Sequence, residues 1–135
     1  MLTVEITSFS FKNGYPEDSS GNGGGFVFDC RALPNPGRYE EYKQVNGTQQ
    51  PVIEFFTKYP AECEEFLLNI KSLTSQSIKK YIERDFTHLM INFGCTGGQH
   101  RSVYFAEKTA EYIKKNFPVK VIVNHREQKI YKELY

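Results

Sequence analysis

The segment from residue 88 to residue 123 alternates between strand-like and helix-like patterns, and this alternation constrains the fold more than any other feature. Residues 88–93 form an apolar run of strand length, residues 102–115 carry apolar side chains at helical spacing, and residues 119–123 are rich in β-branched side chains. Two strands joined by a helix form a βαβ unit, in which the strands lie parallel with a right-handed crossover. The pattern therefore predicts a parallel sheet.

Two earlier segments extend this sheet. Clustered β-branched and aromatic residues predict strands at residues 3–11 and 25–30. Between them, residues 13–25 are rich in Gly, Ser and Asn, which predicts a flexible loop. A length of 135 residues suits one domain. We therefore expect residues 1–135 to form a single, three-layer-like α/β domain with flanking helices and a mostly parallel sheet of about four strands.

The remaining segments predict helices. One helix is expected to begin at Pro51 and a second at Pro60, because proline suits the first helical position. The Ser/Thr-containing stretch at residues 73–75 predicts a break, followed by a third helix over residues 77–84. The tail, residues 128–135, mixes aromatic and basic residues, and a short helix docked on the core is favoured there over an RNA-contacting segment.

Charge and cysteine content narrow the possible functions. A net charge of +1 gives no global field that would attract nucleic acid. The sequence shows neither a secretory signal pattern nor an apolar run long enough to span a membrane, so we expect a soluble, cytoplasmic protein. The odd number and wide spacing of Cys30, Cys63 and Cys95 indicate no disulfide framework and no zinc site. No metal and no cofactor are predicted.

The segment 94–102 joins the third strand to the helix that follows it. Gly94, Gly97 and Gly98 allow positive φ angles and a close approach of the backbone to a ligand, while a helix N-terminus presents unpaired N–H groups. The side-chain donors of the segment are Thr96, His100, Arg101 and Ser102. Ligands of parallel sheets bind beyond the carboxyl ends of the strands, where this loop lies. The loop is therefore predicted to bind an anion, and in particular a phosphate group.

Two basic residues are placed to join this loop. Lys12 follows the first strand and Arg31 follows the second, so both are expected at the same sheet edge as Arg101 if the strands are parallel. Asp29 lies close to Arg31 in the sequence and can form an ion pair that fixes the local geometry.

The same loop also fits a catalytic pattern. Residues 95–102 match Cys-x-x-Gly-x-x-Arg-Ser, the pattern of cysteine-dependent phosphatases. In that chemistry Cys95 would attack phosphorus as a thiolate stabilised by the helix N-terminus, and Arg101 would hold the phosphoryl oxygens. A carboxylic acid must then protonate the leaving oxygen, and Asp29 and Asp18 are candidates by position.

Several separate segments give the chain a resemblance to a known family. They are Ser8–Gly14, Val27–Pro36, Gly94–Val103 and His125–Arg126. In these segments the chain resembles the C-terminal domain of the RapZ family, bacterial adapters for RNA cleavage. The resemblance implies binding of a phosphorylated amino sugar, participation in small-RNA binding, and oligomerisation. In that family a separate N-terminal P-loop domain binds nucleotide.

The chain departs from the family pattern in three ways: it lacks one motif, differs at individual residues and contains a segment that resembles an insertion. It contains no Gly-x-x-x-x-Gly-Lys-Ser/Thr motif, so we expect a stand-alone domain that lacks the P-loop half. Gln99 stands where the family usually has a basic or polar residue such as Lys, and Gly37-Arg38 stands where RNA-binding relatives carry His-Trp. Residues 19–25 resemble an insertion. The resemblance therefore favours phosphate binding over RNA binding.

Together these observations predict a binding module rather than an enzyme. The expected ligand is a phosphorylated small molecule, either a sugar phosphate or a nucleotide, and the expected role is sensing, with an RNA-linked regulatory function, an RNA or protein partner and a homo-oligomer as further expectations. A cysteine-dependent phosphatase that uses Cys95, Arg101 and Asp29 is the alternative. The predicted ligand-binding residues are Lys12, Arg31, Cys95, Thr96, Gly97, Gly98, Gln99, His100, Arg101, Ser102, His125 and Arg126.

Overall fold

The computed structural model describes residues 1–135 and contains one five-stranded sheet. Its strands are β1 (Thr3–Ser10), β2 (Gly25–Asp29), β3 (His88–Cys95), β4 (Lys120–His125) and β5 (Ile130–Leu134). They lie in the order β2-β3-β1-β4-β5. The first four strands are parallel, and β5 pairs with β4 in the antiparallel direction. The predicted α/β class with a mostly parallel sheet is confirmed, with one strand more than expected.

Three helices accompany the sheet: α1 (Gln50–Thr57), α2 (Pro60–Glu83) and α3 (Arg101–Asn116). Both α1 and α2 have proline in their first turn, as the sequence predicted. No helix combines the length and the apolar character that a membrane crossing needs.

The predicted break within α2 is wrong. The helix is continuous through Thr74 and Ser75, because both hydroxyl groups find partners without opening the helix. Thr74 Oγ1 donates to the carbonyl oxygen of Ile70 at 2.7 Å, and Ser75 Oγ lies 2.8 Å from the hydroxyl oxygen of Tyr112 on α3. A hydrogen bond within α2 and a contact with α3 therefore override the weak helix propensity of these residues.

The tail is likewise a strand and not the predicted helix. Lys129 adopts a φ of 57°, and its N–H donates to the carbonyl oxygen of Arg126, which turns the chain back along β4. β5 then pairs with β4 in a register that joins His125 to Ile130 and Val121 to Leu134. The free edge of β4 offers a row of backbone hydrogen bonds that an isolated terminal helix would not make.

The helices form one layer on a single face of the sheet. Phe56 of α1 stacks on Tyr104 of α3 with ring centroids 4.4 Å apart, and Phe66 of α2 meets Phe105 of α3 edge-on at 5.0 Å. One continuous hydrophobic core lies between these helices and the sheet. The strand residues in this core include Val4, Ile6, Leu89, Ile91, Phe93, Val121 and Val123.

The other face of the sheet is covered by the segment 14–24. Tyr15 and Glu17 of this segment border a cavity of about 430 Å³, whose floor includes Glu5 and Thr7 of β1. Further along the segment, Asp18 lies 3.8 Å from the side chain of His88. The molecule therefore has two layers of regular structure, and this segment lies where a third layer was expected.

The register of the parallel strands brings their carboxyl ends to one edge. Ser10 at the end of β1 is paired with Cys95 at the end of β3, and Asp29 at the end of β2 is paired with Gly94. The segments that follow these strands therefore converge above the same edge, where the candidate site is built.

Candidate functional site

The loop between β3 and α3 contains a run of backbone donors without a protein partner. Thr96, Gly97, Gln99 and His100 border the cavity described below, whereas Gly98, also predicted to bind the ligand, is buried and does not border it. None of the five N–H groups from Thr96 to His100 donates a hydrogen bond to a protein acceptor. They directly precede α3, whose first residue is Arg101, so the positive end of the helix dipole adds to their charge. Successive unpaired N–H groups at a helix N-terminus form a concave site for an anion.

Gly98 fixes the path of this loop. Its φ of 65° lies in the left-handed region, and a Cβ at this position would lie 2.7 Å from the backbone nitrogen of Ser10 and 2.7 Å from Cγ of Glu127. Gly94 and Gly97 do not have positive φ, although the sequence allowed it. Gly94 is needed for space instead, because a Cβ there would lie 2.6 Å from the ring of Phe9.

Ser10 anchors the loop to the end of β1. Its hydroxyl donates to the carbonyl oxygen of Thr96 at 2.6 Å, and its N–H donates to Oε2 of Glu127 at 2.7 Å. Glu127 also accepts from Arg126, with an Nη2–Oε2 distance of 3.0 Å. Burial raises the pKa of Glu127, but the hydrogen bonds from Ser10, Arg126 and Asn13 outweigh it and hold the pKa below its usual value of 4.5.

Arg101 is nearly buried but keeps part of its guanidinium available. It is 6% exposed, and its Nη1 donates to the carbonyl oxygens of Arg31 at 2.7 Å and Leu33 at 3.4 Å. Its Nε and Nη2 make no hydrogen bond within the protein, while the side chain borders the cavity above the loop. Arg101 therefore both fastens the segment after β2 and presents N–H donors to a ligand.

His100 and Gln99 hold a second neighbouring segment. Nε2 of His100 lies 2.8 Å from the carbonyl oxygen of Tyr42, so this nitrogen carries the proton. Nε2 of Gln99 donates to the carbonyl oxygens of Lys43 at 2.8 Å and Val45 at 2.9 Å. These bonds connect the loop to residues 42–45. The Nε2 atoms of both side chains, which were predicted to contact the ligand, therefore contact backbone carbonyl oxygens instead.

Cys95 lies at the base of the loop, where β3 ends. It is 2% exposed, and its Sγ accepts the N–H of Ser102 at 3.4 Å and lies 3.2 Å from the hydroxyl oxygen of the same residue. Ser102 is fully buried behind Cys95 and does not border the cavity. Its role in the structure is to contact the thiol.

Several of the predicted residues lie together around a cavity of about 230 Å³. The cavity is bordered by Lys12, Asn35, Gly37, Cys95, Thr96, Gly97, Gln99, His100 and Arg101. Two of these residues, Lys12 and Arg101, carry full positive charges, and none of the nine is acidic. The cavity therefore offers an anion both positive charge and N–H donors, with no opposing carboxylate on its wall.

Asn35 and Gly37 were not predicted as site residues. They belong to the turn that follows β2, where the side chain of Asn35 accepts the N–H of Gly37 at 3.0 Å. The sequence signal was the Pro-Asn-Pro-Gly stretch at residues 34–37, which indicated a turn but not its position beside the loop.

Arg31 and Asp29 form a pair beside the cavity but do not line it. The guanidinium of Arg31 makes two hydrogen bonds with the Asp29 carboxylate, at 2.9 and 2.8 Å, and lies 4.0 Å from the ring centre of Phe11. The hydrogen bond from Arg31 lowers the pKa of Asp29.

His125 and Arg126 also lie outside the cavity. His125 is completely buried, with its Nδ1 2.7 Å from the hydroxyl oxygen of Ser8 and its Nε2 3.6 Å from Oε1 of Glu107. Nη2 of Arg126 donates to the carbonyl oxygen of Gly14 at 2.8 Å. The structure therefore places both residues in the support of β4 and of the segment after β1.

A larger concavity of about 640 Å³ runs along α2. Its border includes Lys71, Lys79 and Tyr112, and the Lys71 ammonium lies 5.1 Å from the Tyr112 ring centre. Its border residues all lie within helices α2 and α3. It therefore has no counterpart of the loop with unpaired backbone N–H groups that borders the smaller cavity.

Comparison with known proteins identifies the family. A family model of the RapZ C-terminal domain matches residues 2–129. The nucleotide-binding proteins of Hahella chejuensis and Pseudothermotoga lettingae are 40% and 39% identical to the chain over 126 residues, which is 93% of the chain and 42% of each relative. One from Staphylococcus epidermidis is 38% identical over 129 residues, covering 96% of the chain and 41% of that protein. The chain thus spans about two fifths of the length of these relatives, and it belongs to the family of the RapZ C-terminal domain.

Proposed function

We propose that the cavity above the β3–α3 loop binds the phosphate group of a small molecule, a nucleotide or a sugar phosphate. The observation that carries this proposal is the run of five unpaired N–H groups from Thr96 to His100, because four of these five residues border the cavity. Arg101 adds N–H donors that no protein group uses, and Lys12 adds a second positive charge. Backbone donors of this kind require no rearrangement when the anion arrives.

The names of the relatives support a phosphorylated ligand. Each of the three is a nucleotide-binding protein, but the chain matches about two fifths of its length. The name therefore describes a longer protein, and for this chain it supports the chemical class of the ligand more than its identity.

Ligand binding is coupled to two surface segments in this proposal. Arg101 holds the carbonyl oxygens of Arg31 and Leu33, while Gln99 and His100 hold residues 42–45. A phosphate that accepts hydrogen bonds from these side chains changes the strength of the hydrogen bonds that hold both segments. This arrangement suits a sensing module, because the occupancy of the cavity is reported on the protein surface.

The phosphatase alternative has less support from the geometry. Cys95 and Arg101 flank the cavity as that mechanism requires, but Asp29 is paired with Arg31, which lowers its pKa. Asp18 accepts hydrogen bonds from Ser20 and Gly24 and has a pKa of about 2. Neither carboxyl group is placed as a general acid: Asp29 is held by Arg31, and Asp18 lies beside His88, at the opposite end of β3 from Cys95. Hydrolysis of an aryl phosphate that disappears in Cys95→Ser would support the alternative; equal trace activity in both proteins would exclude it.

Calorimetric titration with inorganic phosphate, AMP and glucose 6-phosphate tests the binding proposal. We expect at least one ligand to bind with a stoichiometry of one. Lys12→Ala should weaken that binding by about three- to tenfold, since it removes one charge from an exposed rim. Lys79→Ala on α2 removes the same charge from a distant exposed position and should leave the affinity unchanged.

Arg101→Ala should weaken binding further. Because this change also frees the Arg31 and Leu33 carbonyl groups, thermal unfolding must accompany the titration. The proposal fails if wild type binds none of the three ligands, or if a folded Arg101→Ala protein binds as tightly as wild type.

A further inference from the structure

Cys30 and Cys95 lie side by side at the ends of two neighbouring strands. The β2–β3 register ends with Asp29 opposite Gly94, and the next N–H, that of Cys30, donates to the carbonyl oxygen of Gly94 at 2.8 Å. This bond belongs to the Asp29–Gly94 pair, and continuing the same register by one residue places Cys30 beside Cys95. The two cysteines are therefore neighbours across the strands although 65 positions separate them in the sequence.

The two side chains point to the same side of the sheet. Both belong to the hydrophobic core beneath the helices, and both are free thiols with at most 2% exposure. Paired residues on adjacent strands are about 4.8 Å apart. A disulfide spans Cα atoms that are about 4.4 to 6.8 Å apart, so the backbone positions already lie in the required range.

The surroundings distinguish the two thiols. Cys95 borders the cavity, and its Sγ accepts the N–H of Ser102. Cys30 has no such access, and burial raises its pKa well above the usual value of 9.0, with a further contribution from the adjacent Cys95. Cys95 is thus the thiol that a small oxidant entering the cavity meets first.

We propose that Cys30 and Cys95 form an oxidation site that a peroxide converts to a disulfide. The Cys95 thiol loses its proton as its sulfur attacks one peroxide oxygen; an S–O bond forms, the O–O bond breaks, and the released hydroxide takes that proton to become water. The Cys30 sulfur then attacks the Cys95 sulfenic acid; the S–S bond forms, the S–O bond breaks, and the Cys30 proton leaves with the hydroxide as a second water. A dithiol reductant reverses the reaction.

The disulfide should also weaken phosphate binding at the β3–α3 loop. Bonding to Cys30 draws the Cys95 sulfur away from Ser102 and shifts Cys95, which directly precedes the loop residues that border the cavity. This consequence rests on the proposed function, whereas formation of the disulfide does not. Oxidation is expected to reduce phosphate affinity by at least about tenfold, and a dithiol reductant is expected to restore it.

Mass spectrometry of the wild-type chain tests the site directly. After brief exposure to hydrogen peroxide, the protein is unfolded and its remaining thiols are alkylated. We expect a mass lower by two hydrogen atoms before alkylation, one alkylated cysteine at Cys63, and a non-reducing peptide map that joins Cys30 to Cys95. The reduced protein should be alkylated at all three cysteines. Three free thiols after oxidation, or a bond that involves Cys63, would overturn the proposal.

Two variants and one titration complete the test. Cys63→Ala removes the remaining cysteine and should leave the disulfide unaffected, whereas Cys30→Ala should abolish it and leave Cys95 to oxidise to its sulfinic acid. If the wild-type disulfide forms but the reduced protein binds no phosphate, the oxidation site stands and the proposed function fails. If the reduced protein binds phosphate but no disulfide forms, the reverse holds.

Discussion

Single residues decide whether the loop can hold an anion. Gly98 adopts the left-handed conformation in the middle of the loop, and Ser10 and Glu127 fill the space beside it. The sequence indicated the glycines and the basic residues of the loop, because their chemistry is visible in the residue types. The sequence did not show why each glycine is needed. Gly94 is needed because the ring of Phe9 leaves no space for a Cβ, and Gly98 is needed because its φ is positive. Both reasons depend on the folded structure around the loop.

Gly98→Ala should destabilise the protein by about 2 kcal/mol or more. The left-handed backbone costs about 1–2 kcal/mol for a residue with a Cβ, and the new methyl group would press on the backbone of Ser10. Gly97→Ala is the matched control, because no atom lies within 4 Å of the position that its new methyl group would occupy and its φ is not positive. We expect the control to change stability by less than about 0.5 kcal/mol. Urea unfolding measures both, and equal stabilities would contradict this account of Gly98.

The helices and strands that the sequence predicted correctly are those whose residue pattern lies within the element itself. The βαβ unit from β3 to β4 could be predicted because each part shows its own periodicity. Two elements could not be predicted in this way. Within the continuous α2, Ser75 contacts Tyr112 of another helix, and β5 pairs with the free edge of β4. Both outcomes depend on partners distant in sequence, which local propensity does not register.

The segment 14–24 should lose stability in acid through Asp18. Asp18 accepts hydrogen bonds from Ser20 and from the N–H of Gly24, and these lower its pKa from 3.8 to about 2. A group whose pKa is lowered on folding stabilises the native state above its unfolded pKa, and this stabilisation is lost as pH falls through the folded pKa. Asp18→Ala should therefore cost about 1 kcal/mol at neutral pH, and the cost should shrink as pH falls from about 4 toward 2.

Glu17→Ala provides the control for Asp18→Ala. Glu17 is exposed on the same segment, and we expect no change in stability at any of these pH values. Urea unfolding at pH 7, 4 and 2.5 measures the difference between each variant and wild type. A cost for Asp18→Ala that is independent of pH would show that the carboxylate charge is not what holds the segment.

At the scale of the whole molecule, the sheet topology creates the site. Strands β1, β2 and β3 are parallel, so the residues that follow them meet at one edge although they are far apart in sequence. The sequence predicted this edge and the convergence of Lys12 with the β3–α3 loop. It could not separate residues that border the cavity from those that support it, as His125 shows by lying fully buried against Ser8. The same topology brings Cys30 beside Cys95, a pairing that their sequence spacing concealed.

We propose above all that the N–H groups of the β3–α3 loop bind phosphate. The most direct measurement is a nitrogen–proton NMR titration of the labelled protein with inorganic phosphate and then with AMP. We predict that the amide signals of Thr96 to His100 and the Arg101 Nε signal shift most and saturate together. The claim would be contradicted if the loop signals stayed unchanged while saturable shifts appeared only at another surface, such as the cavity at Glu5 and Thr7. A spectrum that does not respond to either ligand would contradict it as well.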